Sequence, residues 1–303
     1  MHAIDLENVS KSFGAVRAVD GLSVRVPQGS VYGFLGPNGA GKTTTLRMVM
    51  DIIRPDSGTI RLFGQLASSV ARRRVGYMPE ERGLYRKMTV SAVLNYFGSL
   101  KGLTGADLRQ RAAQWLERIS LADHAKRKVE ELSRGMHQKL QFAVTVINDP
   151  ELVILDEPFS GLDPVNQDLL REIITEMRRE GRTVVFSTHV MHEAERLCDF
   201  IVLINRGRIV VNGTLDEIRG GHESHTISIE LEGDGDFIRT LPLVQEVTPE
   251  GRRLELRLRE GADPQELLRI LVERTRVRAF EIKQPSLHEI FVRLVGADRA
   301  ENL

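Results

Sequence analysis

Residues 36–43 read Gly-Pro-Asn-Gly-Ala-Gly-Lys-Thr, the residue types and spacing of a loop that wraps phosphate. Its glycines let the backbone curl so that several N–H groups converge on one phosphate chain, at the positive end of the following helix. Lys42 supplies a point charge for β- and γ-phosphates, and Thr43 offers a hydroxyl to Mg²⁺. Gly36, Pro37, Asn38, Gly39, Ala40, Gly41, Lys42, Thr43 and Thr44 are thus the candidate nucleotide-binding residues. The second chemical signal is Leu152-Val153-Ile154-Leu155-Asp156-Glu157, an apolar run that ends in two acids. One carboxylate, Asp156, can hold Mg²⁺ directly or through water, and the other, Glu157, can orient or deprotonate an attacking water. Alone, such a pair is an ordinary solvated strand end. Downstream of a phosphate loop it points to hydrolysis of a nucleoside triphosphate.

These groups need a scaffold that brings distant loops to one edge. Val31-Tyr32-Gly33-Phe34-Leu35 is short and apolar enough for a buried strand, and residues 44–50 carry apolar side chains at helical spacing, so the loop sits between strand and helix. Before it, residues 4–9 and 22–26 read as strands, with a break at Pro27-Gln28-Gly29. From 90 to 147 the pattern turns helical and predicts a separate lobe, in which Trp115 reads as a core residue. Strands return at 152–155, 183–187 and 201–205 between helical stretches, which argues for a largely parallel sheet. A second unit begins near Gly220-Gly221. Its strands alternate apolar and polar residues (Ile227, Ile229, Leu231; Leu254, Leu256, Leu258). A short helix at 236–241, strands at 243–248, 253–259 and 277–282, and a helix opened by Asp263-Pro264 give the order β-α-β-β-α-β, the split βαβ arrangement. Ser286-Leu287-His288-Glu289 is a capping box for a last helix.

Composition narrows the class. Lys+Arg and Asp+Glu are equal at 42 each, so no global field recruits nucleic acid, and no nucleic-acid partner is expected. The single cysteine, Cys198, excludes an internal disulfide, fits a reducing compartment and reads as a small buried apolar residue. No run approaches the ~20 apolar residues of a membrane span, and the first residues lack the pattern of a signal peptide. A cytoplasmic protein is expected, peripheral to a membrane only through a partner.

Leu132-Ser133-Arg134-Gly135-Met136-His137-Gln138-Lys139 lies between the two chemical motifs and opens a helix. With it the region 1–220 resembles the ABC-type ATPases, the nucleotide-binding subunits of ATP-binding cassette transporters. The family signature is Leu-Ser-Gly-Gly-Gln. Leu132, Ser133 and Gly135 match it, while Arg134 and Met136 depart. The resemblance implies ATP and Mg²⁺ as cofactors and ATP-driven pairing with a second ATPase subunit, a further copy or a paralogue. Ser133 and Gly135 would then contact the γ-phosphate of ATP held by that subunit. It further implies that Phe13 stacks on adenine and that Asp163, in Ser160-Gly161-Leu162-Asp163, belongs to a loop at the dimer interface. His189, in Ser187-Thr188-His189, would contact the γ-phosphate. Glu157, His189 and Lys42 are the implied catalytic residues, and Thr43, Asp156 and Glu80 the metal-facing ones. Glu80 stands where the family has glutamine, and it adds a negative charge beside the phosphates that Mg²⁺ would offset. The residues alone also fit a solvated loop acid paired with Arg82.

The implied architecture is an α/β P-loop ATPase with a helical subdomain at about 85–150, followed by a small α+β accessory domain at 221–303. Pro79-Glu80-Glu81-Arg82-Gly83-Leu84-Tyr85 and Pro285-Ser286-Leu287-His288-Glu289-Ile290-Phe291 are similar to a narrower group, the ATPases of ABC-2-type exporters related to sodium-extrusion and drug-resistance systems. That group implies an integral-membrane permease partner and a place at the inner face of the cell membrane. A non-transport ABC ATPase acting on DNA or ribosomes is the alternative. It fits less well, because the insert is too short for a long coiled coil and only one cassette is present. An ordinary P-loop kinase or GTPase would leave Ser133, Gly135, Asp163 and His189 unexplained.

Overall fold

The computed structural model describes residues 1–81, 83–220, 226–233, 235–259 and 261–300. Arg82 and Gly221 therefore lie outside the described residues. Contacts divide the chain into two units, Met1–Leu215 and Asp216–Leu303, with the division just before Gly220.

The first unit opens with β1 (His2–Phe13), β2 (Val16–Pro27) and β3 (Val31–Leu35), then α1 (Lys42–Val49), β4 (Ser57–Leu62), β5 (Gln65–Leu66), α2 (Ser69–Arg72) and β6 (Val75–Met78). Three helices follow, α3 (Val90–Leu100), α4 (Gly105–Arg118) and α5 (Arg134–Val146). The chain continues with β7 (Leu152–Asp156), α6 (Pro164–Arg179), β8 (Thr183–Thr188), α7 (Met191–Leu197), β9 (Phe200–Asn205), β10 (Arg208–Thr214) and α8 (Leu215–Gly220). The main sheet has the order β10-β9-β3-β8-β7-β6, parallel except for the edge strand β10. Both its faces are buried, which explains why β3, β7 and β8 are buried at every position and carry apolar runs at 31–35, 152–155 and 184–186.

The first strands form a separate antiparallel sheet, β2-β1-β4-β5. Here β1 runs past the expected 4–9 segment through Ser10-Lys11-Ser12. It is paired by β4 as far as Ser10 and by β2 to its end at Phe13, so backbone hydrogen bonds carry it where apolar side chains do not. Val9, Leu22 and Val24 from this sheet join α1 and Tyr32, Phe34, Ile154, Val185 and Val202 of the main sheet in one core. The helical lobe has its own core, built on Leu94, Leu108, Leu116 and Leu140, and Trp115 packs there edge-on to Phe142 at 6.1 Å.

The second unit takes in α8 from Asp216 onward and contains β11 (Thr226–Glu232), β12 (Val244–Glu250), β13 (Arg253–Leu258), α9 (Pro264–Arg274), β14 (Arg276–Ile282) and α10 (Leu287–Ala300). Its sheet is antiparallel throughout, in the order β12-β13-β11-β14. Ile227, Ile229, Leu256 and Leu258 pack against Leu267 and Leu271 of α9. The expected helix at 236–241 is a tight 3-10 turn, Asp236–Thr240. The capping box forms: Ser286 N donates to Glu289 Oε2 at 2.7 Å, and Glu289 N donates to Ser286 Oγ at 3.2 Å.

Candidate active site

Sheet order makes the site. Because β3, β8, β7 and β6 lie side by side and parallel, the loops after all four emerge at one edge, where open α/β folds gather ligands. Leu35 pairs with Thr188, Asp156 with Ser187, and Met78 with Leu155. The phosphate loop, Glu157, His189 and Glu80 thus meet although their positions span much of the chain.

The loop at 36–41 takes the curled form its glycines permit, with φ of 151°, 79° and 106° at Gly36, Gly39 and Gly41. At Gly41 a Cβ would lie 2.4 Å from the Ala18 carbonyl oxygen, so only glycine can hand the chain into α1. Lys42 opens that helix and is 6 % exposed. Its Nζ donates to the carbonyls of Gly36 (2.7 Å) and Pro37 (3.2 Å), and lies 3.8 Å from Glu157 Oε1. Burial lowers the lysine pKa, against the opposing pull of Glu157, Asp156 and Glu80. The ammonium is folded back on its own loop and aimed at the acids.

Asp156 is fully buried. Its Oδ1 accepts from Thr43 Oγ1 at 3.1 Å and from Ser187 Oγ. Its Oδ2 is buried with no hydrogen-bond partner among the described residues. An orphaned carboxylate oxygen beside a hydroxyl is the donor set a hard divalent cation takes. Glu157 follows in a left-handed turn (φ 50°) with its N–H donating to Ser187 Oγ at 3.1 Å. That turn aims its carboxylate back at Lys42 and at His189, whose Nδ1 lies 3.0 Å from Glu157 Oε1.

A cleft of about 360 Å³ opens over these groups, lined by Phe13, Ala18, the 38–44 segment, Glu80 and Glu157. Phe13 is 49 % exposed with Lys11 Nζ 5.7 Å from its ring centre, so one aromatic face is free to stack. Glu80 is exposed on the cleft. Ser133, Gly135 and Asp163 do not line it. Ser133 caps α5 by accepting from Met136 N (3.3 Å), and Asp163 caps α6 by accepting from Asn166 N (3.0 Å), the bond that holds its carboxyl below the usual range. These two helix starts adjoin, with Leu162 beside Gly135 and Arg134 against Gly161. Cys198 packs under β3, where a Cβ at Gly33 would lie 2.7 Å from its Sγ, and burial pushes its thiol pKa well up.

Sequence reasoning missed three contributors. Ser187 serves Asp156 and the Glu157 N–H, a role that only the β7–β8 register reveals. Gln138 and Gln141 reach the loops after β7 and β6 from α5. Polar residues on the buried face of an amphipathic helix were the available signal for these two.

Comparison with known proteins identifies the family. The family described as ABC transporter matches residues 19–160, and the C-terminal domain of DrrA1-3-like ATP-binding proteins matches residues 213–295. The uncharacterized ABC transporter ATP-binding protein YhaQ of Bacillus subtilis is 38 % identical, over 97 % of this chain and 99 % of its own. Nod factor export ATP-binding protein I of Ralstonia nicotianae is also 38 % identical, over 97 % and 94 %. The daunorubicin/doxorubicin resistance ATP-binding protein DrrA of Streptomyces peucetius is 34 % identical, over 97 % and 92 %. A solved ATP-binding subunit of an ABC transporter aligns with a TM-score of 0.68 at 31 % identity, over 72 % of this chain and 92 % of that one. The chain belongs to the ATP-binding subunits of ABC transporters, which bind and hydrolyse ATP.

Proposed function

We propose that this subunit powers export through a separate membrane permease, closing with a second ATPase subunit around Mg²⁺–ATP. The observation that carries the reading is the convergence of Lys42, Asp156, Glu157 and His189 at one sheet edge, with one oxygen of Asp156 left without a partner among the described residues. Thr43 and Asp156 would hold Mg²⁺, with Glu80 facing it across the cleft. Held there, Mg²⁺ would supply positive charge to offset that of the phosphates. Lys42, already buried and pointed at the acids, would exchange its carbonyl partners for phosphate oxygens. Glu157 would accept a proton from the attacking water, oriented by His189 at 3.0 Å. Phe13 offers its exposed face to the base.

Ser133, Gly135 and Asp163, absent from the chain's own cleft, would meet ATP held by the second subunit. For the permease, a partly exposed aromatic cluster supports a docking surface: Tyr85 and Tyr96 contact edge-on at 5.4 Å, and are 52 % and 40 % exposed. Export is favoured over import by relatives named for daunorubicin/doxorubicin resistance and Nod factor export. In this reading the protein sits at the inner face of a membrane through its partner; no helix among the described residues is long and apolar enough to cross one. The unit from Asp216 onward would serve as an accessory domain, because the phosphate- and metal-facing residues all fall before it.

Glu157→Gln tests the core of this reading. It should keep ATP affinity, lose hydrolysis by roughly 10²–10⁴-fold and accumulate an ATP-bound dimer, seen as an earlier size-exclusion peak with ATP and Mg²⁺. Wild-type turnover in this variant sinks the role of Glu157.

A further inference from the structure

Helix α5 carries glutamines where its packing face calls for apolar residues. Gln138 and Gln141 are three positions apart, so they share a face, and each is 4 % exposed. Their amides satisfy the main chain of two different loops. Gln138 Nε2 donates to the carbonyls of Glu157 (3.3 Å) and Pro158 (3.0 Å). Gln141 Nε2 donates to those of Pro79 (2.7 Å) and Glu81 (3.2 Å), on either side of Glu80. Gln141 Oε1 has no hydrogen-bond partner among the described residues, so that side chain is held by its donors.

The helix that carries them is itself seated firmly. A Cβ at Gly76 of β6 would lie 2.6 Å from the Thr145 carbonyl oxygen, so the helix backbone rests directly on the strand that leads to Glu80. Lys101 Nζ donates to the Val144 and Thr145 carbonyls at 2.8 and 2.6 Å, closing the last turn of α5.

We propose that Gln138 and Gln141 are positioning residues that fasten the Glu80 loop and the Glu157 edge to one rigid helix, so that α5 sets how the two acids face each other across the cleft, and with it the metal requirement of hydrolysis. The inference rests on the roles given above to Glu80 and Glu157. Ser133 and Gly135 lie at the start of the same helix, so a displacement of α5 from that end reaches both acids at once.

Gln141→Met keeps length and helix propensity and removes both donors. In the full chain, affinity for a fluorescent ATP analogue is followed across a Mg²⁺ titration, turnover by phosphate release, and folding by thermal unfolding through Trp115. Affinity at saturating Mg²⁺ should stay within about twofold, while the Mg²⁺ half-saturation point shifts by about threefold or more and turnover falls by about tenfold or more. Wild-type Mg²⁺ dependence and turnover in Gln141→Met, beside an inactive Lys42→Ala, overturn the inference and leave the site reading intact. Full turnover in both variants overturns the site reading and this inference with it. Should Gln141→Met fail to fold, Gln138→Met is measured in the same way, and the same shifts support the inference or their absence overturns it.

Discussion

The two units of this chain treat charge in opposite ways. At the sheet edge of Met1–Leu215, Lys42, Asp156 and Glu157 are all buried, and one oxygen of Asp156 has no partner among the described residues. In the second unit the buried described residues are apolar apart from Ser228. Its charges stand at or near the surface and pair with one another, Lys283 with Glu250 and Glu255, Arg253 with Glu230 and Glu281, and Arg278 with Glu232. Burying charge costs several kcal/mol per ion unless strong partners replace water, so a fold shaped only for stability would resemble the second unit. The first keeps buried, incompletely paired charge, the pattern of a site built to take a ligand.

The largest expected break in that contrast comes from Lys42→Ala. It leaves the Asp156–Glu157 edge without its cation, so turnover at saturating ATP should fall by about 10² or more and nucleotide affinity should weaken. Near-normal turnover would mean that the buried charge is structural in both units alike. Next in size is Leu267→Ala, which empties a fully buried position of the second core and should cost about 2–5 kcal/mol of that unit's stability. Trp115, the chain's single tryptophan, lies in the first unit. Its unfolding transition and the ATP affinity should stay unchanged while calorimetry shows the other transition moving down. Coupled shifts in both transitions would show that the units do not behave separately.

The smallest effect sharpens the comparison from the other side. The partners Glu255 and Glu250 raise the Lys283 pKa above the ordinary lysine value of 10.5. A base whose folded pKa is raised lends stability that is fully present below its unfolded pKa and is lost as pH climbs through the folded one. Lys283 is about a third exposed, so Lys283→Ala should cost no more than about 0.5 kcal/mol at pH 7, less in high salt, and the cost should vanish once pH has climbed past the raised folded pKa, with ATP turnover untouched. A loss of several kcal/mol in urea titrations would mark that face as more than a solvated surface.

Local chemistry made much of the molecule legible in the sequence alone. The curl of 36–43 follows from glycines that need no tertiary help to adopt positive φ, and strands β3, β7 and β8 follow from apolar runs too short for helices. Caps at Ser133, Asp263 and Ser286 were equally plain, because a cap needs only neighbours a few residues away. Tertiary structure alone decided what depends on strand order and register. The pairing of Asp156 with Ser187 across β7 and β8, the 3.0 Å approach of His189 to Glu157, and the reach of Gln138 and Gln141 to two loops all join residues many positions apart. Propensity and periodicity act over a few residues, whereas these contacts are set by which strands lie side by side and how a buried helix seats against them, and no local pattern encodes that.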